Sequence, residues 1–245
     1  MAGVALTFLT DHDSVTGFPE ARDAAREKGI DLRCGIEINT IHKDNVHILG
    51  YGFRWQDAAF AERLDAFRKR RETRTARIVE KLRELGLPIE VADVVAESKQ
   101  TLGRPHVADA LKRKGLVGSR QEAFNRFLAK GKPGYVESAG PTPEEAIALI
   151  REAGGFCSLA HPETLADETL LPGWIALGLE GIEAYYSTHR PSQTAYYLKL
   201  AAELGLMTTG GTDFHGPGSG REKPLGVDVP DEVYGRFEER YAKCC

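Results

Sequence analysis

Apolar residues along this chain follow two rhythms. Short, mostly apolar runs at 4–10, 32–38, 45–51, 155–160, 181–185 and 207–209 are bounded by turn residues, which predicts buried strands. Between most of them, apolar positions recur every three or four residues, the spacing of one helix face. Pro19-Glu20-Ala21 opens a helix that stops at Gly29, and further helices are predicted over 143–153, 170–177 and 191–204. Strands that alternate with helices in this way predict an α/β fold built on a parallel sheet.

The rhythm changes from about 56 to 140, where the pattern is mostly helical. A long amphipathic run over 57–85 closes at Gly86-Leu87-Pro88, and shorter helices are predicted over 89–98, 106–114 and 120–129. A helical insert of this size between barrel strands predicts a cap subdomain. The expected organisation is a barrel domain from 1–55 and 141–245, with the insert at 56–140.

Composition narrows the function. The 245 residues suffice for one domain with a smaller insert. Lys and Arg number 32 against 36 Asp and Glu, a formal net charge of -4, which disfavours a polyanion binder driven by global positive charge. Any phosphate recognition must then come from local basic clusters. No apolar run approaches the roughly 20 residues of a membrane helix, and no signal-peptide pattern opens the chain, so a soluble cytoplasmic protein is expected. Cys34, Cys157, Cys244 and Cys245 show no C-x-x-C spacing and are expected to be reduced thiols.

The candidate chemistry gathers where strands give way to loops. Asp11, His12 and Asp13 follow the first strand, Glu37 ends the second, His47 lies in the third, His161 follows the fourth, and Asp213 with His215 comes near the end. Taken alone, a histidine such as His47 reads as a core or surface residue, and His42 and His189, in polar loops, read as structural. Five strand ends that each carry a histidine or acid point instead to a common site at the carboxyl face of a parallel barrel. Mixed imidazole and carboxylate donors suit Mn²⁺, Fe²⁺ or Zn²⁺, and several such ions in one cleft suit hydrolysis of a phosphate ester by an activated water. Asp11 and Asp13 flank His12, placed to orient it or the substrate. Arg71 and Arg74 are three apart and share a helix face, as a fork onto phosphate requires, and Arg104 approaches from the next segment. Arg68, Lys69, Arg70 and Arg77 also allow a plain solvated basic face. His106 reads either as a general acid for the leaving oxygen or as a structural residue beside Pro105.

The motifs Leu9-Thr10-Asp11-His12-Asp13, Gly35-Ile36-Glu37, His47-Ile48-Leu49-Gly50-Tyr51, Ala160-His161-Pro162 and Gly211-Thr212-Asp213-Phe214-His215, in that order, resemble the polymerase and histidinol phosphatase (PHP) superfamily. The resemblance covers nearly the whole chain. It implies a distorted (β/α)7 barrel and a metal-dependent phosphoesterase, with up to three divalent ions, Mn²⁺ first and Fe²⁺ or Zn²⁺ as alternatives. Carried onto this sequence, it implies that Glu37 bridges two ions, with Asp213 on the first, His47 and His161 on the second, and His12 and His215 on the third. Glu37, His12 and Asp213 are then the catalytic residues, and Arg71, Arg74, Arg104 and His106 the substrate-binding ones. The insert, with Arg71-x-x-Arg74, Gly103-Arg104-Pro105-His106 and Gly131-Lys132-Pro133-Gly134-Tyr135, looks most like the branch that acts on nucleoside 3',5'-bisphosphates and short RNA 5' ends.

The sequence also departs from the pattern. Family members carry a His-x-His strand and an aspartate upstream of the Thr-Asp-His-Asp motif, and only eleven residues precede His12 here. The first ion would keep only Glu37 and Asp213 and the third only His12 and His215, whereas the second keeps Glu37, His47 and His161. A barrel without that strand exposes an edge, so pairing into a homodimer is expected. Two other functions stay open: a histidinol-phosphate or other sugar-phosphate phosphatase, and a non-catalytic PHP-like scaffold that binds nucleotide. A polymerase-associated module is disfavoured, because no segment resembles a polymerase.

Overall fold

The structure, a computed structural model, describes residues 4, 6–42, 45–96, 102–216 and 225–244. The chain divides into two units, Met1–Ala61 with Pro141–Cys245 and Glu62–Gly140. The first unit holds strands β1 (Thr7–Leu9), β2 (Leu32–Asn39), β3 (His47–Tyr51), β4 (Phe156–Leu159), β5 (Leu179–Tyr186) and β6 (Met207–Gly211). Its helices are α1 (Phe18–Glu27), α6 (Pro143–Glu152), α7 (Leu171–Leu177), α8 (Pro191–Leu204) and α9 (Asp231–Ala242). Helix α2 (Ala58–Glu84) starts in the first unit and continues into the second, which adds α3 (Val91–Val95), α4 (Arg104–Arg113) and α5 (Arg120–Ala123).

The sheet has six strands in the order β1-β2-β3-β4-β5-β6. Pairings β1/β2, β4/β5 and β5/β6 are parallel, but β3 runs antiparallel to both β2 and β4. This corrects the expectation of an all-parallel sheet. Only residues 40–46 separate β2 from β3 in the sequence, too few for the crossover that a parallel pair needs. Among the described residues the sheet has six strands and, with its helices, forms a mixed α/β fold.

Alternation along the strands builds the core. Ile36, Ile38, Ile48 and Phe156 of the sheet are fully buried together with Ile147, Leu149 and Ile150 of α6. Each such side chain stabilises the fold by roughly 1.5–3 kcal/mol relative to exposure. Thr142 and Glu145 cap α6 reciprocally, with the Glu145 N–H donating to Thr142 Oγ1 at 3.2 Å and the Thr142 N–H to Glu145 Oε2 at 2.8 Å. The helix lies so close to β3 that a methyl group at Gly50 would come within 2.8 Å of Ile150 Cδ1.

Helix α9 is not anticipated by the sequence reading, which ends with the loop after β6. Its Phe237 ring packs edge-on against Phe8, Tyr51 and Phe156 at centroid distances of 5.5, 5.2 and 5.3 Å. Tyr51 ends β3 and Phe156 begins β4, so this aromatic cluster closes the end of the sheet away from His47 and His161.

The second unit has its own core of Ile78, Val79, Leu82, Ile89, Val94, Val107, Leu111 and Leu128. Ser119 caps α5 by accepting the Glu122 N–H at 3.1 Å. The helix expected over 120–129 continues from α5 as a π-helical turn, Phe124–Leu128. The one expected over 89–98 is Val91–Val95, and its last two residues lie outside the described residues. Cys34, Cys157 and Cys244 are free thiols, and Cys245 is outside the described residues. Among the described residues no helix is long and apolar enough to cross a membrane.

Candidate metal centre

The sheet brings the polar residues together through its registers. Beyond β1 the chain stays beside β2, with the Glu37 N–H donating to Asp11 O at 3.2 Å and the Asp13 N–H to Glu37 O at 2.9 Å, so His12 is bridged to Glu37. Asn39 pairs with His47 across β2 and β3. Because β3 is antiparallel, the first residue of this strand lies at the carboxyl end of β2. The Ala160 N–H donates to His47 O at 3.1 Å, which carries His161 in beside them.

Glu37 is the hub. Its Oε1 lies 2.7 Å from His47 Nδ1 and 3.2 Å from His161 Nε2, the two ring nitrogens are 3.0 Å apart, and its Oε2 lies 3.8 Å from His12 Nδ1. Burial alone would raise the Glu37 pKa, but hydrogen bonds from His161 and His47 and the charge of His12 hold it well below the usual carboxylate range. Burial lowers the His12 pKa against the pull of Glu37. For His161, burial works downward too, but the hydrogen bond and charge of Glu37 prevail and the pKa is raised.

These donors fit a divalent cation. Ligand atoms of His12, Glu37 and His47 all lie within 4.8 Å of one another. Among the described residues His12 Nδ1 is buried with no hydrogen-bond partner, a costly state for a polar atom that a metal ion would relieve. A carboxylate oxygen and two imidazole nitrogens crowded within 3.2 Å need shared protons or a cation between them. Imidazole with carboxylate is the donor set of borderline divalent metals.

Asp213 and His215 follow β6. Asp213 Oδ2 accepts from the Tyr186 hydroxyl at 2.9 Å, its Oδ1 lies 3.3 Å from His215 Nδ1, and the His215 ring is 5.6 Å from that of His12. Among the described residues the non-glycine residues with positive φ are Asp13 (53°), Asn45 (55°), His161 (27°) and Asp213 (51°). Each is one of the expected ligands or lies within two residues of one, and such backbone persists only where the surroundings enforce it. Asp13 holds its loop by accepting from the Asn39 N–H at 3.0 Å and Asn39 Nδ2 at 2.7 Å. Burial raises the pKa of Asp11, partly offset by the charges of His12 and His215.

Three residues of this neighbourhood are not singled out by the sequence reading: Asn39, Glu183 and Tyr186. Glu183 is buried in β5 and accepts the His161 N–H at 2.8 Å. Burial pushes its pKa up to about 8, with the charge of Glu37 adding to the rise and the His161 N–H opposing it. An acid inside an apolar strand was the available signal. His189, read from the sequence as structural, has its Nδ1 3.0 Å from Ala184 O and its Nε2 2.9 Å from Glu163 Oε2.

The expected substrate residues all lie in the second unit. Arg74 is buried and its Nε and Nη2 donate to the carbonyls of Val136 and Glu137 at 2.8–3.1 Å. Burial, with Arg104 and Arg71 nearby, lowers its pKa to about 10. Arg104 donates to Leu128 O at 3.3 Å and lies over the Phe124 and Tyr135 rings. His106 Nδ1 accepts the Gly103 N–H at 3.1 Å and so caps its own helix, the structural part that the sequence left open beside that of a general acid.

No protein-family model matches the sequence. Among curated proteins, the chain is 32% identical over 232 residues to a 3',5'-nucleoside bisphosphate phosphatase of Chromobacterium violaceum, covering 88% of this chain and 79% of that protein. It is 30% identical over 243 residues to a 5'-3' exoribonuclease of Haemophilus influenzae, covering 97% and 89%. Among solved structures, a Bifidobacterium adolescentis protein assigned as a metal-dependent phosphoesterase superposes with a TM-score of 0.76 at 32% identity, over 98% of this chain and 86% of that one.

Proposed function

This chain belongs to the polymerase and histidinol phosphatase superfamily of metal-dependent phosphoesterases, and we propose that it releases phosphate from nucleotide-sized phosphomonoesters, a nucleoside 3',5'-bisphosphate or the 5' end of a short RNA. It is a hydrolase of phosphate esters. The observation that carries the reading is the buried Glu37 carboxylate ringed by His12, His47 and His161.

Glu37, His47 and His161, whose donor atoms lie within 3.2 Å of one another, would hold one divalent ion, with His12, Asp213 and His215 available to others. Mn²⁺ is our choice, with Fe²⁺ or Zn²⁺ as alternatives; bound there, the metal would polarise the phosphoryl oxygens and lower the pKa of the attacking water. Glu37 stays ionised at neutral pH and supplies the negative charge that gathers the cations. His161 is aimed at Glu37 by its left-handed backbone, and Asp213 is held by Tyr186. Arg71 and Arg104 are the residues we assign to phosphate recognition, with Arg74 supporting the 136–137 segment behind them.

We read the sheet as strands of the PHP (β/α)7 barrel, the chain as cytoplasmic, and the outer edge of β1, unpaired among the described residues, as a surface for a second copy. The test of function is phosphate release from adenosine 3',5'-bisphosphate after EDTA treatment, with and without added Mn²⁺. Release that requires the metal supports the proposal. Release from histidinol phosphate in preference to the bisphosphate, or no release from either, overturns it.

A further inference from the structure

Strand β5 sends two polar side chains to the metal centre without supplying a ligand, and a bulge makes this possible. Side chains alternate along a regular strand, so residues 183 and 186 would face opposite sides of the sheet. Here the register with β6 steps from Glu183↔Thr209 to Tyr185↔Gly210, two residues of β5 against one of β6. An extra residue of this kind re-aims the side chains that follow it. Glu183 and Tyr186 therefore act at the same end of the site, Glu183 on the His161 N–H at 2.8 Å and Tyr186 on the Asp213 carboxylate at 2.9 Å.

Both targets need holding. His161 has φ 27° and ψ 65°, and Asp213 has φ 51°, values that non-glycine residues avoid unless their surroundings fix them. The seat for Glu183 is itself tight, because a methyl group at Gly211 would lie 2.5 Å from Glu183 Oε1. Hydrogen bonds that orient metal ligands typically matter by roughly 10–100-fold in metal affinity.

We propose that Glu183 and Tyr186 are positioning residues of the metal centre. Glu183 fixes the backbone turn that aims the His161 imidazole at Glu37, and Tyr186 fixes the Asp213 carboxylate. The inference rests on the metal-centre reading above.

The experiment uses the full chain and the variants E183L, E183Q, G211A and Y186F, with circular dichroism to establish folding. In metal-free protein, amide exchange at His161 is followed by NMR, together with the carboxyl ¹³C resonance of Asp213. Calorimetric titration with Mn²⁺ then gives the affinity. E183L and G211A, which remove or displace the acceptor, should speed His161 exchange about tenfold or more and weaken Mn²⁺ binding roughly 10–100-fold. E183Q keeps an acceptor oxygen and should restore both to within about threefold of the wild type. Y186F should shift the Asp213 resonance and weaken Mn²⁺ binding while leaving His161 exchange unchanged. Wild-type exchange at His161 in E183L and G211A, an E183Q as impaired as E183L, or an Asp213 resonance unmoved in Y186F overturns the proposal. A wild-type chain that takes up no Mn²⁺ refutes the metal reading separately, because the metal-free NMR still decides whether β5 positions these two residues.

Discussion

Asn39 lies opposite His47 in the antiparallel pairing of β2 and β3, and this register is what brings His47 Nδ1 to 2.7 Å from Glu37 Oε1. Residues 37, 39, 47 and 49 share one face of the two strands by alternation, and diagonal neighbours on such a face lie within reach of long side chains. One reversed strand thus puts a histidine from a strand start among residues from strand ends.

Substituting His47 should therefore cost the centre a donor and leave the sheet intact. H47A is expected to weaken Mn²⁺ binding by more than the roughly 10–100-fold typical of residues that merely orient ligands. Calorimetric titration checks this, and unchanged affinity would remove His47 from the ligand set.

Arg71 and Arg74 should separate by effect. Removing Arg74 leaves the Val136 and Glu137 carbonyls without their donor, a loss of roughly 1–3 kcal/mol. R74A should lower stability in urea denaturation, whereas R71A should raise KM for the bisphosphate at nearly unchanged stability. If R74A is as stable as the wild type, its role in holding the 136–137 segment is wrong.

Helix α9 predicts a split between stability and chemistry. Phe237 packs on Phe8, Tyr51 and Phe156 at the far end of the sheet. F237A should destabilise by roughly 3 kcal/mol, the low end of the range for such truncations, with Mn²⁺ affinity unaltered. Loss of metal binding in a folded F237A protein would contradict this placement.

Metal removal should be felt in stability as well as activity. With Mn²⁺ at about 100 times its Kd, linkage adds about 2.7 kcal/mol, and Tm should rise by roughly 5–10 °C above that of the EDTA-treated chain. A Tm indifferent to the metal would argue that the ion does not bind the folded state preferentially.

Much of this was legible in the sequence, for definite reasons. Strand runs such as 32–38, and helices opened by proline and closed by glycine, carry local signals, and Glu37, His161 and Asp213 stand out because polar residues interrupt apolar runs there. The direction of β3 was not legible from its apolar pattern, because alternation is the same whichever way a strand runs. Helix α9 was obscured by the turn-rich stretch before it and by having no fully buried position, although Asp231 and Glu232 in its first turn and Val233, Phe237 and Tyr241 on one face were available signals. Glu183 could have been noticed as an acid in an apolar strand, but the direction it shares with Tyr186 was hidden because it depends on a bulge defined by the neighbouring strand. The parts played by Arg74 and His106 depend on which carbonyls and amides the second unit leaves nearby, and spacing along one helix does not encode that.

The most direct test of the account is the metal content and bisphosphate turnover of the wild type beside E37Q. The wild type should bind divalent metal and release phosphate from adenosine 3',5'-bisphosphate only when loaded, and E37Q, folded and of similar shape, should bind little metal and release none. An E37Q protein that keeps both its metal and its turnover would contradict a centre built around Glu37.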